Sequence, residues 1–292
     1  MKSTTTRRTA MKSAAATALA AASLSNRLSA SDEKTGGGIN HSVCKWCYPK
    51  ISVEDLAQAG KQFGLQSIEL LGPDDWPAAQ KHGLTCAMAS NPVVDGLGGI
   101  TKSFNRVEHH DKLVAAYEDL IPKAANAGLK NVICFSGNRE GLPDEQGIEN
   151  CAKGLQRLTA VCEKNKINLV MELLNSKVNH HDYQCDHTNW GVALVKKVGS
   201  DRFKLLYDIY HMQIIEGDVI ATIKANQQYI AHYHTGGVPG RNEIDDSQEL
   251  YYPAIMKAIL DTGFKGFVAQ EFIPKREDYI ASLRQGVKIC NV

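Results

Sequence analysis

The chain has 292 residues, with 33 Lys and Arg against 32 Asp and Glu, 43% hydrophobic and 22% charged. Its first 30 residues hold five of the cations (Lys2, Arg7, Arg8, Lys12, Arg27) and no acid, which leaves 28 cations against 32 acids, a net charge near −4, for the rest. That balance excludes the basic footprint of a polyanion-coating protein, so no nucleic-acid partner is expected, and the apolar share suits a globular enzyme.

The start reads as a leader. Arg7-Arg8, with Lys12 beyond, precedes an Ala-rich, mildly apolar stretch from Ser13 to Ala22, the charged-then-apolar order of a secretion signal. The paired arginines resemble a twin-arginine signal, although Ala10 stands where that pattern has a large apolar residue. The expectation is a signal over residues 1–30 and export of a folded protein, to the periplasm if the twin-arginine route is used. The stretch is short of the roughly 20 strongly apolar residues that cross a bilayer, and no later segment does better.

After residue 40 short apolar runs alternate with helical patterns. The runs are 42–47, 67–70, 85–90, 131–135, 168–172, 204–208, 230–234 and 267–271, each fit to be a strand buried on both faces. The helical patterns are 53–63, 74–82, 109–127, 145–165, 188–198, 218–227, 252–262 and 277–288. In the third, Leu113, Tyr117, Leu120, Ala124 and Ala127 recur at three- and four-residue steps; in the fourth Ile148, Ala152, Leu155, Leu158 and Cys162 do the same. Each helix thus has one apolar face to lay on a sheet. Gly64, Gly83, Gly128 and Gly263 punctuate the helix-to-strand turns. Eight βα units without hairpin signals predict a single (β/α)8 TIM barrel, an α/β fold, over residues 40–292.

The eight cysteines do not read as a disulfide framework. Cys86, Cys134, Cys151 and Cys162 fall on apolar faces of predicted elements, where cysteine acts as a small hydrophobe. Cys44 and Cys47 have CxxC spacing but no second pair nearby, so neither zinc nor redox chemistry is expected there.

Active sites of such barrels lie at the carboxyl ends of the strands. Strands five to eight end in Glu172, Asp208, His234 and Glu271. Three carboxylates at the ends of apolar runs would repel one another and resist desolvation unless a cation joined them. A divalent metal held by Glu172, Asp208, His234 and Glu271 is the expectation. Oxygen ligands with one nitrogen suit Mn2+, Mg2+ or Co2+, with Zn2+ compatible.

These residues, with Glu172-Leu173-Leu174-Asn175, Asp208-Ile209-Tyr210-His211, Phe135-Ser136-Gly137-Asn138-Arg139 and the loop Gly237-Val238-Pro239-Gly240-Arg241-Asn242-Glu243, carry a resemblance. The chain is similar to the sugar isomerase/epimerase barrels related to xylose isomerase and, within them, to the hydroxypyruvate isomerases. The resemblance implies a TIM barrel, a divalent metal on the four strand-end residues, and interconversion of hydroxypyruvate and tartronate semialdehyde without nucleotide or flavin. One departure stands out. His234 occupies a position where hydroxypyruvate isomerases usually carry Gln and ketose 3-epimerases carry His, so a ketose 3-epimerase is the alternative.

Glu172 and Glu271, on strands that flank a substrate, are assigned as the acid/base pair as well as ligands. His211 is expected to hydrogen-bond a substrate oxygen, Arg241 to grip a substrate carboxylate bidentately, and Glu69, at the end of strand two, to orient substrate or to pair with a neighbour. Trp46 is read as either an apolar wall or a core aromatic, and His180-His181-Asp182 as a solvated loop by default, with ligand contact or a lid as the alternatives. The expected partner is a small hydroxy-carbonyl compound or sugar, and a homo-oligomer is left open. Three other readings on this scaffold are an abasic-site nuclease, which the charge disfavours, a non-catalytic carbohydrate binder and a polyol dehydratase.

Overall fold

The computed structural model describes residues 37–292 of the chain; the predicted leader, residues 1–30, lies outside them. Seven strands and ten α-helices follow in order: β1 (Asn40–Cys44), α1 (Val53–Lys61), β2 (Leu65–Glu69), α2 (Trp76–Lys81), α3 (His110–Asn126), β3 (Asn131–Cys134), α4 (Asp144–Gln156), α5 (Thr159–Asn165), β4 (Asn168–Leu173), α6 (Thr188–Val198), β5 (Phe203–Asp208), α7 (Ile209–Ile215), α8 (Val219–Asn226), β6 (Ile230–Thr235), α9 (Tyr252–Asp261), β7 (Phe267–Gln270) and α10 (Tyr279–Cys290). The strands pair in parallel in the order β2-β1-β7-β6-β5-β4-β3.

The barrel closes through the segment 85–89, which bridges β2 and β3. Thr85 pairs with Ser67, and Ala89 pairs with both Leu71 and Val132. The sequence predicts a regular third strand here, and the structure has isolated bridges instead. Side chains explain the difference. The Ala87 N–H donates to Ser67 Oγ (2.8 Å) and the Ala87 carbonyl accepts from Asn131 Nδ2 (2.8 Å), so the middle of the segment bonds to side chains where a strand bonds to backbone.

The predicted helix 145–165 is two helices, α4 and α5. Thr159 turns its hydroxyl onto the Gln156 carbonyl (2.9 Å) at the break, the kind of local bond that competes with a helical ladder. The apolar face holds across it: Ala152, Leu155, Leu158 and Cys162 are all buried. The four punctuating glycines, 64, 83, 128 and 263, take positive φ, the conformation that ends a helix at little cost only for glycine. All eight cysteines are buried and free. No described helix is long and apolar enough to cross a membrane.

Alternation along the strands decides which side chains enter the barrel. In β6, His232 and His234 point inward while Tyr233 packs outward against Phe264. Asp208 pairs with His234 and Glu172 with Leu206. Glu271 follows β7 directly, its N–H donating to the Thr235 carbonyl at 2.9 Å. Four neighbouring strands therefore deliver ligand-type side chains to the same end of the barrel.

His41, in β1, gives the fold a pH dependence. Burial pushes its pKa from 6.5 down to about 4 against a smaller opposing pull from Asn291. A depressed histidine favours the folded state above its unfolded pKa, and that contribution is lost as pH falls through the folded value. Lowering pH from 6.5 to 4 should remove about 3 kcal/mol on this account. Thermal melts over that range are expected to show a smaller pH slope in His41→Asn than in the wild type.

Candidate active site

Glu172, Asp208, His234 and Glu271 each present a ligand atom, and these four atoms lie within 4.8 Å of one another. All four residues are buried. His234 Nδ1 is 2.6 Å from Glu271 Oε2 and 3.3 Å from Glu172 Oε1, yet neither His234 Nδ1 nor Glu172 Oε1 has a hydrogen-bond partner. At such distances a ring nitrogen and two carboxylate oxygens repel one another unless a proton or a shared cation lies between them. The donor set fits a divalent cation of the oxygen-preferring kind with one imidazole.

Each side chain is held by its own local structure. Asp208 is the N-cap of α7, with Oδ1 accepting from the N–H groups of Tyr210 (2.9 Å) and His211 (3.4 Å). That leaves Oδ2 to face the site. Burial raises the Asp208 pKa to about 8; Arg241 opposes the shift, and the carboxylates of Glu271 and Glu172 add to it. Burial likewise raises Glu172, assisted by Glu271. Burial would also raise Glu271, but Arg241 and His234 outweigh it and hold that carboxyl well below the usual range.

Glu69 lies behind the site. Its Oε1 is 2.7 Å from His232 Nε2 and 2.8 Å from His234 Nε2, and the residue has no exposure. Burial would raise its pKa, but the two histidines outweigh burial and bring it down to about 2. An ionised carboxylate on Nε2 keeps a proton there and aims Nδ1 at Glu172 and Glu271. Burial would lower the His234 pKa, but the negative groups around it raise it well above 6.5, so that without a cation the ring is charged. The pairing of Glu69 with His234 is the outer-shell arrangement that would orient a metal-ligating histidine; of the two roles expected of Glu69, the structure has it paired with its neighbours. Glu69→Gln is therefore expected to weaken Mn2+ binding about 10- to 100-fold, which titration of the chelated protein with Mn2+ would measure.

Arg241 enters from the loop after β6, with φ of +58°. Its Nη2 bridges Asp208 Oδ2 (2.8 Å) and Glu271 Oε2, Nη1 faces His211 Nε2 (2.7 Å), and Nε donates to the Glu271 carbonyl (3.0 Å). The guanidinium lies over the rings of Trp46 and Tyr210, 5.3 and 5.1 Å from their centroids. Nε and both N–H groups of Nη2 are committed to Asp208 and Glu271, so the bidentate grip on a substrate carboxylate expected from the sequence is not built here; Nη1, which faces His211, remains. Trp46 is 45% exposed, and its indole N–H donates to Glu271 Oε1 at 2.7 Å. It is a rim residue, not a core aromatic.

His211 is fully buried between Arg241 and Asn175. The ring of His180 is 5.2 Å from that of His211, while Asp182 ties the loop to the N–H of Glu140 (2.7 Å). Asn175, His232 and Tyr210 were given no role by the sequence reading. His232 carries a signal: it is two residues before His234, hence on the same inward face.

A xylose isomerase-like TIM barrel family model matches residues 58–288. The chain belongs to that family. It is 29% identical over 231 residues to the hydroxypyruvate isomerase of Escherichia coli strain K12, covering 73% of this chain and 85% of the relative. It is 26% identical over 235 residues to the 2-oxo-tetronate isomerase of Haemophilus influenzae, covering 76% and 88%. Among solved structures, a family 2 AP endonuclease from Brucella melitensis superposes with a TM-score of 0.73 at 20% identity, over 86% of this chain and 96% of that one, a likeness of fold. The protein is an enzyme of the isomerase class, hydroxypyruvate isomerase-like.

Proposed function

We propose that the protein is a metal-dependent isomerase interconverting hydroxypyruvate and tartronate semialdehyde through an enediolate. The observation that carries this reading is the convergence of Glu172, Asp208, His234 and Glu271, four buried ligand atoms within 4.8 Å of one another. The relatives named for isomerases of hydroxypyruvate and 2-oxo-tetronate support a carboxylate-bearing substrate. A divalent cation held by these four residues, Mn2+, Mg2+ or Co2+ before Zn2+, would act as a Lewis acid on the substrate's carbonyl and hydroxyl oxygens.

The chain's own residues do the rest. A carboxylate removes a proton from C3 of hydroxypyruvate, and a proton is delivered to C2, while the hydroxyl proton passes from O3 to O2. Glu172 and Glu271 form the acid/base pair. Glu172 has a raised pKa and an oxygen without a partner, which suits it to abstraction. Glu271 is held by Trp46, Arg241 and His234, which suits it to ligation and to return of the proton. His211 and the Nη1 group of Arg241 serve as donors to a substrate oxygen. Trp46 forms part of the rim.

Turnover in D2O tests the reading. Metal-loaded protein should convert hydroxypyruvate to the aldehyde with deuterium on C2. Deuterium appearing only at C3 of a free ketose, with hydroxypyruvate untouched, would overturn it in favour of a 3-epimerase, the reading His234 favours. We also propose export, on the strength of the acid-free, arginine-paired first 30 residues.

A further inference from the structure

Asn175 lies three residues past Glu172, just beyond β4, and is fully buried. Its Oδ1 accepts from the backbone N–H groups of Val178 (2.9 Å) and Asn179 (3.2 Å). Those two bonds fix which way the amide faces, because turning it over would aim an NH2 group at two N–H donors and lose both bonds. Its Nδ2 therefore points to Asn179 Oδ1 at 3.0 Å and to His211 Nδ1 at 2.6 Å. An amide nitrogen only donates, so His211 Nδ1 must carry a lone pair.

The other ring nitrogen of His211 faces a second pure donor, Arg241 Nη1, at 2.7 Å. A neutral imidazole accepts at one nitrogen and an imidazolium at none. Both contacts cannot be hydrogen bonds, and one must yield. Asn175 is pinned by two backbone groups. Arg241 keeps Asp208 and Glu271 through Nη2 and Nε whether or not Nη1 has an acceptor. The contact that yields is the one to Arg241, and what satisfies both groups is an acceptor atom placed between them.

We propose that Asn175 is a positioning residue that holds His211 as the Nε2–H tautomer, so that Nε2–H and the Arg241 Nη1 group form a converging donor pair for one substrate oxygen. The pair selects an oxygen that can accept twice and favours one bearing negative charge, such as a carboxylate or enediolate oxygen. Its meaning for substrate rests on the isomerase reading above; the tautomer itself does not.

The experiment uses the full chain labelled with 15N at histidine, with the His211 resonances assigned by their loss in His211→Gln. Two-bond proton–nitrogen correlations should show Nδ1 without a proton and Nε2 with one. Asn175→Asp is close in shape but only accepts at neutral pH, so it should reverse the pattern and place the proton on Nδ1. Where hydroxypyruvate is turned over, that variant should lose about 10- to 100-fold in kcat with KM changed less, because the lost donor acts on developing charge. A protonated Nδ1 in the wild type, or a mixture of tautomers there, overturns the proposal. So does a folded Asn175→Asp that keeps the wild-type pattern. If Asn175→Asp does not fold, the wild-type spectrum alone decides. A wild type with the Nε2–H tautomer and no turnover of hydroxypyruvate would sink the isomerase reading and leave this one standing.

Discussion

Glu172→Gln should lower kcat on hydroxypyruvate by about 10²- to 10⁴-fold, the range of a positioned general base. The amide keeps an oxygen that can face the cation, so bound metal should fall far less than turnover. The carbon acid next to a carbonyl needs a base with an available lone pair. Glu172 has two carboxylate oxygens: Oε1, unpartnered and turned to the His234 side, is the one for the cation, which leaves Oε2 to take the proton, and burial raises the pKa of the group. Glu271 is the reverse case: Trp46 Nε1 and Arg241 Nη2 donate to it, and its carboxyl is held well below the usual range. The two variants should therefore differ in kind. Glu271→Gln should still exchange the C3 proton of hydroxypyruvate with D2O while forming little aldehyde, whereas Glu172→Gln should do neither. Proton NMR of substrate in D2O, with metal content measured in parallel, separates them. Equal exchange by both variants would show that Glu172 is not the base.

The positions of these groups were legible because a parallel strand buried on both faces makes its first ionisable residue conspicuous. Leu169-Val170-Met171 ends in Glu172, and Leu205-Leu206-Tyr207 in Asp208, so apolar runs mark where the barrel ends and chemistry starts. What the sequence hid was held by side-chain bonds. The third strand is irregular because Ser67 and Asn131 take the backbone groups of Ala87. Helix α7 begins immediately at the end of β5 because Asp208 is both its cap and a site residue, and no turn signal separates the two elements. Glu69 and Arg241 have residue types that fit substrate contact equally well. Only geometry distinguishes a carboxylate bonded to His234 from one facing the mouth, or shows that three of the N–H groups on Arg241 are already engaged. Asn175 is one amide among many in the chain until its two backbone partners are seen.

Stripping the protein with a chelator should abolish turnover and lower the melting temperature, and adding back Mn2+ should restore both. The physical reason is the crowding of Glu172, Asp208 and Glu271 around one point. Arg241 supplies one positive charge to this cluster, through Asp208 and Glu271, and makes no bond to Glu172. Burial, with Glu271 and Glu172 adding to it against Arg241, raises the Asp208 pKa to about 8, the mark of a carboxylate cluster short of positive charge. A divalent cation would supply that charge and bind Oε1 of Glu172 and Nδ1 of His234, atoms without a hydrogen-bond partner whose desolvation costs about 1–3 kcal/mol each when unpartnered. A ligand that binds only the folded chain stabilises it by about 2.7 kcal/mol at a hundred times its dissociation constant. For a domain of this size that corresponds to a shift of several degrees. A melting temperature unchanged by chelation and by added Mn2+, Mg2+ or Co2+, in protein shown to be metal-free, would mean that these four side chains do not hold a cation. The acid/base assignment would then lose the Lewis acid that makes a carboxylate strong enough to work.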